Sequence, residues 1–227
     1  MAPLSKSKPR FSFRRFFHHN GLSLVLLGLF IGTYGGGQLV TGMHVYNTER
    51  EERGERPVTL GGYLASAHFA EATAENWESE FFQMFVYVYI TAFLFQKGSA
   101  ESNDPDKPRE KAPVTARSPW PVRRGGWIRR IYSHSLSLSL ALLFLATFLV
   151  HSWSSTKLEN EERRSKGKAE VSLWDHLHSD KLWFESFQNW QSEFLAILCM
   201  VVLTIHLREK DSPESKAVEA AHEDTGG

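Results

Sequence analysis

The chain has 227 residues, with 26 Lys and Arg balanced by 26 Asp and Glu, so its formal net charge is zero. This balance argues against a nucleic-acid-binding protein that depends on net positive charge. The single cysteine, Cys199, excludes an intramolecular disulfide and any metal site built from several cysteines.

Four segments of the chain are strongly apolar and contain no Lys, Arg, Asp or Glu. In chain order they are residues 21–46, 81–95, 135–153 and 194–207. A helix needs about 20 residues to cross the hydrocarbon of a bilayer, so the two shorter segments suffice only if their helices start a turn or more upstream. Soluble core helices usually keep a charged face. We therefore predict an all-α bundle of four transmembrane helices. The predicted spans are 21–46, 75–96, 133–153 and 187–207.

The first apolar segment carries Gly28, Gly32 and Gly36 at four-residue spacing. Stripes of small residues allow membrane helices to approach closely, and the third segment offers a shorter stripe, Ser135 and Ser139. We interpret both stripes as helix-packing faces; a ligand groove along the glycines is the alternative. The first segment is long and lacks a clear small-x-small cleavage site, so we interpret it as a retained anchor and not as a signal peptide.

The sequence repeats itself after 113 residues. Residues 47–102 align with residues 160–215 without a gap, and 20 of the 56 paired positions are identical. Upstream, one residue of slippage brings the Leu-Ser-Leu at 22–24 onto the Leu-Ser-Leu at 136–138. We predict two copies of one unit, each with a helix, a charged outer loop with an amphipathic segment, and a second helix. Because each unit has an even number of spans, the copies should be parallel repeats related by an axis along the membrane normal.

The repeat predicts five regions along the chain. A disordered tail and a Pro-, Ser- and charge-rich linker flank the two units, and a second disordered tail ends the chain. The predicted boundaries are 1–15 for the first tail, 16–96 for the first repeat, 97–130 for the linker, 131–208 for the second repeat and 209–227 for the last tail.

The basic residues predict the orientation in the membrane. Of the 26 Lys and Arg, 17 lie before the first span, in the connection 97–134 or after the last span, and nine lie in the other two loops. Cytoplasmic flanks collect Lys and Arg. We therefore predict that both termini and the middle connection are cytoplasmic, and that loops 47–75 and 154–187 face outside.

An acidic residue opens the second helix of each copy, within ENWESEFFQMF (75–85) and QNWQSEFLAIL (188–198). On a helix, spacings of four and three residues align the polar positions of the first copy as one stripe, part of which recurs in the second copy. The stripe residues are Asn76, Glu80, Gln83, Tyr87 and Thr91, with Asn189, Glu193 and Thr204 in the second copy. Indoles favour the membrane interface, so we take Trp77 and Trp190 as anchors at the outer surface.

A carboxylate near hydrocarbon is costly and should face the bundle interior, water or a partner. We therefore predict that Glu80 and Glu193 face each other, or a shared set of partners, near the outer end of the bundle. Arg50 and Arg163 recur in both copies and are candidate charge partners. The pair could form an ion, proton or cationic-ligand site, or could accept structural hydrogen bonds from the other half, a loop Arg or a helix start. Both interpretations stay open.

The sequence offers no catalytic motif. It contains no phosphate-binding Gly-Lys loop, nucleophile elbow or dinucleotide fingerprint. Asp175 and His178 have roughly ligand-like spacing, but a di-metal carboxylate site in a helical bundle needs Glu-x-x-His pairs, and the predicted spans contain none. We predict no enzyme activity, no cofactor and no metal.

Three stretches, NGLSLVLLGLF (20–30), NWESEFFQM (76–84) and FLFQKGSAES (93–102), resemble a bacterial family of small four-span membrane proteins. That family is classed as a domain of unknown function, and the similarity covers most of the chain beyond its tails. The resemblance implies a bacterial cytoplasmic (inner) membrane and implies nothing about catalysis. The expected partners are the lipid bilayer and other membrane proteins or a second copy, and no nucleic acid.

Three functional classes follow from these features. The first is a structural, accessory or envelope-stress-related membrane component, which the glycine stripe, the tails and the lack of catalytic chemistry favour. The second is a small ion or proton transporter or channel that uses Glu80 and Glu193. Against it, the lower half of the stripe is apolar in the second copy, at Ala196 and Met200. A membrane enzyme ranks last.

Overall fold

A computed structural model describes residues 13–107 and 112–226, and within these ranges the chain is helical without strands. The all-α prediction is confirmed. The α-helices of the described residues are α1 Phe13–Ile31, α2 Val40–Glu52, α3 Leu60–Leu64, α4 Ala67–Ile90, α5 Trp120–Arg124, α6 Gly126–Tyr132, α7 Ser135–Ser165, α8 Leu173–Leu177 and α9 Asp180–His206. A π-helical segment, Gly32–Leu39, joins α1 to α2 without a break.

Three helical stretches of the described chain are long and apolar enough to cross a membrane. They are Phe13–Glu52, Ser135–Ser165 and Asp180–His206. The first combines α1, the π-helical segment and α2, and the other two are α7 and α9. These stretches contain nearly all of three predicted spans, and they identify the protein as a membrane protein by length and composition.

The predicted span 75–96 differs from the helix in the structure. Helix α4 begins earlier, at Ala67, and ends at Ile90. Beyond it the Thr91 hydroxyl donates to Tyr87 O at 2.9 Å, and Leu94 N donates to Ile90 O at 2.8 Å. These bonds hold a series of turns, so the apolar residues after Ile90 do not extend the helix. The upstream extension is acidic, and α4 is not among the three stretches above.

The predicted packing stripes are open in the structure. A Cβ added at Gly28, Gly32 or Gly36 would meet nothing within 4 Å. Ser135 and Ser139 on α7 are exposed. Neither stripe therefore packs against another helix among the described residues, and their role in association stays a prediction.

The chain divides into two compact units, Met1–Phe69 and Ala70–Gly227, which are described separately. In the first unit, the loop after α2 is closed by Asn47, whose Nδ2 donates to Val58 O at 3.1 Å and whose Oδ1 accepts from Val58 N at 2.8 Å. Arg50 Nε donates to Arg56 O at 2.9 Å, beside a turn at Gly54 with φ of +72°. These bonds fold the charged loop back onto α2.

Tyr63 anchors the short helix α3 in the first unit. Its side chain is fully buried, and its ring packs against Tyr46 and Phe69 with centroids 5.8 and 5.4 Å away. A Cβ at Gly42 would lie 2.2 Å from Tyr63 Oη. Only glycine at position 42 allows the tyrosine to lie this close to α2.

In the second unit, the loop after α7 is closed by Asn160, which exchanges two hydrogen bonds with the backbone of Val171 at 2.9 and 2.8 Å. Arg163 Nε donates to Ala169 O at 2.6 Å. Ser172 then caps α8 in a reciprocal capping box with Asp175. The loop therefore presents α8 to the end of α7 in a fixed position.

The region predicted as a disordered tail, 209–227, forms turns over its described part, 209–226. Lys216 is buried, and its ammonium group donates to the backbone oxygens of Ala221, His222 and Asp224 at 2.8 to 3.2 Å. Three carbonyl oxygens satisfy all three ammonium donors, and this gives the segment a specific turn structure. The prediction that this tail is disordered stays a prediction.

The beginning of the predicted linker also makes specific contacts. Gly98 N donates to Thr225 Oγ1 at 2.8 Å, and Gly226 N donates to Ser99 O at 2.9 Å. Ser99 Oγ lies 3.0 Å from Thr204 Oγ1 at the end of α9. Linker residues 108–111 and tail residues 1–12 lie outside the described residues, while residues 13–15 already belong to α1.

Candidate functional site

The polar stripe predicted for α4 is only partly enclosed. Gln83 is buried, and its Nε2 donates to Glu193 O at 3.1 Å. Glu80 is exposed, and Asn76 Nδ2 turns back to Ala72 O of its own helix at 2.7 Å. In the described structure no hydrogen bond joins Glu80 to Glu193, and the facing of these two carboxylates stays a prediction. Because Glu80 is exposed, the buried acid of this region is a different one.

The lower stripe residues hold the linker. Tyr87 Oη donates to Glu101 Oε2 at 2.7 Å. Thr204 Oγ1 accepts from Ala100 N at 3.3 Å, in addition to its contact with Ser99. These residues fasten the start of the linker to α4 and α9.

The predicted charge partners form ion pairs within their own loops. Arg50 Nη1 lies 2.7 Å from Glu55 Oε2, and Arg163 Nη1 lies 3.5 Å from Glu159 Oε1. Arg163 is thus paired with Glu159 on its own helix, and not with Glu193. Both arginines also donate to loop carbonyls, so each one shapes its loop.

A buried acid does occur on α4, two residues before the predicted one. Glu78 is 1% exposed, and its Oε2 lies 2.5 Å from Nδ1 of His151, which is fully buried on α7. Its Oε1 accepts from Trp190 Nε1 at 3.2 Å. Trp190, predicted as an interface anchor, thus also serves as a hydrogen-bond donor to a buried carboxylate. Trp77 is 37% exposed, as an interfacial side chain would be.

A second carboxylate lies on the opposite side of the His151 ring. Glu185 Oε2 on α9 is 3.8 Å from His151 Nε2 and accepts from Ser155 Oγ at 3.4 Å. Ser155 Oγ is also 3.0 Å from Nε2 of the buried His176 on α8. Glu78, His151, Glu185, Ser155 and His176 thus lie in one row of polar groups, which we call the Glu–His cluster. Its widest step, from His151 Nε2 to Glu185, is longer than a hydrogen bond.

Helix α7 places its share of the cluster by simple periodicity. His151 and Ser155 are four residues apart and lie on one face. The neighbouring Ser152, Ser154 and Thr156 are buried, and each hydroxyl donates to a backbone oxygen of its own helix. These small, internally satisfied side chains leave room for the helices that carry the carboxylates.

Aromatic rings close the cluster on the side of the apolar helix segments. The Phe82 ring centroid is 4.3 Å from that of Trp190 and 4.9 Å from that of Phe144. Phe148 and Trp183 form a further pair at 6.0 Å. The rings are tilted against one another at distances typical of packed aromatic pairs, so the cluster borders apolar side chains toward the middle of the helices.

Two more acids flank the cluster on α4. Asn189 Nδ2 donates to Glu75 Oε1 at 2.6 Å. Burial, together with the nearby Glu75 and Glu185 carboxylates, raises the pKa of Glu71 to about 7. At neutral pH Glu71 therefore carries a proton for a substantial part of the time.

The loop side of the cluster is open to a small cavity of about 150 Å³. Its lining includes His176, Lys181, Glu159 and Arg163. Burial and the neighbouring Lys181 lower the pKa of His176, so its ring is neutral at pH 7 and able both to donate and to accept a proton. No group of three or more His, Cys, Asp or Glu in residues 13–107 and 112–226 is arranged to hold a metal ion.

The comparisons with known proteins give one match. Residues 13–227 match the model of DUF6766, described as a domain of unknown function. The chain belongs to the DUF6766 family. No curated protein and no solved structure matches it. In this DUF6766 protein, the Glu–His cluster is the structural feature that bears on activity.

Sequence reasoning missed all five members of the cluster: Glu78, His151, Ser155, His176 and Glu185. A signal for the acids on α4 was present, since Glu71, Glu75 and Glu78 are four and three residues apart and form an acidic stripe. The stripe through Glu80 has the same periodicity, and only the partners on α7 and α9 decide which of the two is buried. For His151 the sequence offers only the run of small polar residues that follows it.

Proposed function

We propose that this DUF6766 protein is a non-catalytic structural component of a bacterial inner membrane. Its chain crosses the bilayer four times with both termini in the cytoplasm, and its partners are lipid and other membrane proteins or a second copy. The three long apolar stretches and the position of the basic residues support this topology. With an even number of spans, the three basic flanks all lie on one side.

The fourth span in this proposal is α4. From Glu75 to Ile90 the helix rises about 24 Å, slightly less than the roughly 30 Å of hydrocarbon. The turns that follow expose Phe93, Leu94 and Phe95 by 51 to 57%, and these side chains are suited to lipid. A short helix completed by apolar turns is a reasonable crossing where neighbouring helices cover the free backbone groups.

We further propose that the two halves are copies of one helix–loop–helix unit. The Asn47–Val58 bonds recur as the Asn160–Val171 bonds, with the same atoms and nearly the same lengths. The π-helical segment also supports the repeat. The first copy has one extra residue between its Leu-Ser-Leu and its loop, and a π-helical turn accommodates one residue more than an α-helical turn.

The observation that carries the structural role is the aromatic layer beneath the Glu–His cluster. Conduction needs a continuous polar path, and here the packed apolar rings of Phe82, Phe144 and Trp190 adjoin the cluster toward the middle of the helices. A buried ion pair without a path joins helices together. The cluster therefore fixes α4, α7, α8 and α9 at their loop ends.

The second candidate is a proton or cation transporter that uses Glu80 and Glu193. Its support is the proximity of the two helices, since Gln83 reaches Glu193 O. The exposure of Glu80 and the apolar residues below the stripe weigh against it.

Liposome flux distinguishes the two candidates. We expect no proton or cation flux above empty liposomes for the wild type, and the same for the double variant Glu80→Gln with Glu193→Gln. Glu78→Gln should lower thermal stability without creating flux. A wild-type flux that the Glu80→Gln, Glu193→Gln variant abolishes while remaining folded would overturn the structural role.

Topology is tested by cysteine labelling after Cys199 is replaced by Ser. A cysteine at Ser102 should be inaccessible to a membrane-impermeant reagent in intact cells, and a cysteine at Ser165 should be labelled. Both positions lie in polar segments outside the proposed spans. Labelling at Ser102 without lysis would contradict the proposed orientation.

A further inference from the structure

We infer that Glu78, His151 and Glu185 form a proton-binding site that Ser155 and His176 connect to solvent on the loop side. The site responds to the pH of the compartment that the α7–α9 loop faces. This inference rests on the proposed function for one point only, the identity of the compartment that the loop faces.

The number of protons in the cluster follows from the contacts of the His151 ring. A neutral imidazole ring has one N–H, and an imidazolium has two. His151 has a carboxylate oxygen 2.5 Å from Nδ1 and another 3.8 Å from Nε2. If the ring were neutral, a lone pair of the fully buried ring would face one of these carboxylates, which is unfavourable. The cluster therefore holds one extra proton, on the ring or on a carboxyl group.

Protons can reach the cluster from the loop side through Ser155 and His176. The Ser155 hydroxyl lies between His176 Nε2 at 3.0 Å and Glu185 Oε2 at 3.4 Å. A hydroxyl donates one hydrogen bond and accepts others, so it can pass a proton from one neighbour to the next. His176 lines the loop-side cavity of about 150 Å³. On the opposite side the apolar rings of the aromatic layer adjoin the cluster, so the proposed route runs through His176.

The surrounding charges favour proton uptake. The charged groups that face the site from the packed elements are Glu71 and Glu75 on α4, Glu159 and Arg163 on α7, Asp175 on α8 and Lys181 on α9. Arg163 lies 3.5 Å from Glu159 and is paired with it. Lys181 lies 3.0 Å from Glu159 and is largely neutralised by it. Carboxyl groups thus outnumber free cations around His151, and a proton on the ring offsets this excess.

The first half of the chain supplies a matched control. At the 113-residue offset, Gly42 and Tyr63 stand where Ser155 and His176 stand, and the tyrosine hydroxyl occupies the space of a side chain at position 42. The double variant Ser155→Gly with His176→Tyr places the same glycine–tyrosine pair, which packs together in the first half, in the second half. It removes the hydroxyl–imidazole connection and leaves Glu78, His151 and Glu185 in place.

The first experiment measures protonation directly. The full chain, labelled with ¹⁵N-histidine in lipid nanodiscs, is examined by NMR from pH 5 to pH 9, and His151 is assigned by the signal lost in His151→Gln. We expect both ring nitrogens of His151 to stay protonated at pH 8, where an ordinary histidine of pKa about 6.5 has lost its extra proton. In Glu78→Gln the second proton should be lost at lower pH, and in Glu80→Gln it should be retained.

A His151 ring that titrates with the surface histidines in a folded wild type would overturn the proton-binding site. If Glu78→Gln fails to fold, Glu185→Ala provides the second test, because Ala72 stands at the matching position of the first half. In this variant too the extra proton should be lost at lower pH.

The second experiment tests the route. Exchange of the His151 ring protons with solvent should slow by about a hundredfold in the Ser155→Gly, His176→Tyr variant, since positioned acid–base groups speed proton transfer by about this factor or more. The control Glu162→Gln alters an exposed ion pair on α7 and should leave exchange unchanged. Unchanged exchange in the double variant would overturn the route.

A pH jump applied to one side of oriented proteoliposomes then tests the proton-binding site independently of the proposed membrane orientation. Protonation of His151 should follow the pH on the side of the loop 154–187. A response to the opposite side only would overturn the single route. A response from the loop side, with that loop shown by labelling to be cytoplasmic, would leave the site standing and contradict only the proposed orientation.

Discussion

The loop after α2 and the loop after α7 are closed by the same asparagine bonds, yet they enclose different chemistry. In the first loop Tyr63 is buried against Gly42 among aromatic rings. In the second, His176 contacts Ser155 and begins a chain of ionisable groups that ends at Glu78. The shared contacts shape the loop, and the residues that differ determine what each end of the chain can do. The contrast indicates that the hydroxyl–imidazole contact next to the proposed proton-binding site belongs to the second loop and has no counterpart in the first.

The largest effect is expected where the ionisable chain is broken. His151→Leu leaves the Glu78 carboxylate buried without its partner, and removing one member of a buried pair typically costs about 3–5 kcal/mol. Chemical unfolding in detergent measures the change. The double variant His151→Leu with Glu78→Leu should recover much of the loss, because a buried pair replaced by apolar groups is often nearly neutral. If the double variant is as unstable as the sum of the single ones, the two residues do not act as a pair.

The second prediction concerns the tyrosine in the first loop. Gly42→Ala places a Cβ 2.2 Å from Tyr63 Oη, and such overpacking costs about 1–3 kcal/mol. Adding Tyr63→Phe removes the clashing oxygen and should restore part of the stability in thermal unfolding. The matched change in the second loop, Ser155→Ala, should cost only about 1 kcal/mol, the value of a lost hydrogen bond. Equal losses at positions 42 and 155 would contradict the difference between the loops.

The third prediction concerns pH and the acid next to the cluster. The pKa of Glu71 is about 7 in the folded protein against 4.5 as its ordinary value. The folded state thus binds more protons than the unfolded state between these values, so stability is full below pH 4.5 and falls as pH rises through 7. After allowance for partial exposure, the fall is about 2 kcal/mol.

Replacing Glu71 with Gln should flatten this part of the stability curve, measured by unfolding at a series of pH values. Glu80→Gln is the control, because this exposed acid on the same helix should leave the slope as it is. A wild-type protein that gains stability between pH 5 and pH 7 would contradict the assignment of the bound proton to Glu71.

The smallest expected change in stability concerns the asparagine–backbone bonds that the two loops share. Asn47→Ala and Asn160→Ala each remove two hydrogen bonds to a loop backbone, and each change should cost about 1–2 kcal/mol. Because the bonds have the same geometry, the two losses measured by thermal unfolding should agree closely. A large difference would show that only one loop depends on its asparagine.

Much of this architecture was predictable from the sequence, for reasons that particular residues illustrate. The uncharged apolar runs identify α1, α7 and α9, since length and composition alone decide membrane compatibility. The repeat of Asn47 as Asn160 pointed to two similar loops. The end of α4 at Ile90 was not predictable from the apolar pattern, because the following phenylalanines continue it while the backbone turns away.

The site was predictable only in kind. A buried acid on α4 was expected, but Glu78 and Glu80 lie about 200° apart on a helix, and both belong to stripes of correct periodicity. Which acid is buried depends on His151 and Trp190, which come from parts of the sequence more than 70 residues away. Such long-range pairing leaves no mark in local periodicity.

The π-helical segment Gly32–Leu39, whose turns are wider than those of an α-helix, affects how this chain tolerates inserted and deleted residues. A single insertion in a regular helix swings everything before it by about 100°, whereas a wide turn takes in the surplus residue and preserves the angular positions on both sides. The small-residue stripe at Gly28 can therefore keep its direction relative to α2 even though the first copy is one residue longer. Deleting Gly36 should tighten that turn into ordinary helix and leave both flanking faces aligned, while deleting a residue within α1 would swing its outer half toward a new set of neighbours.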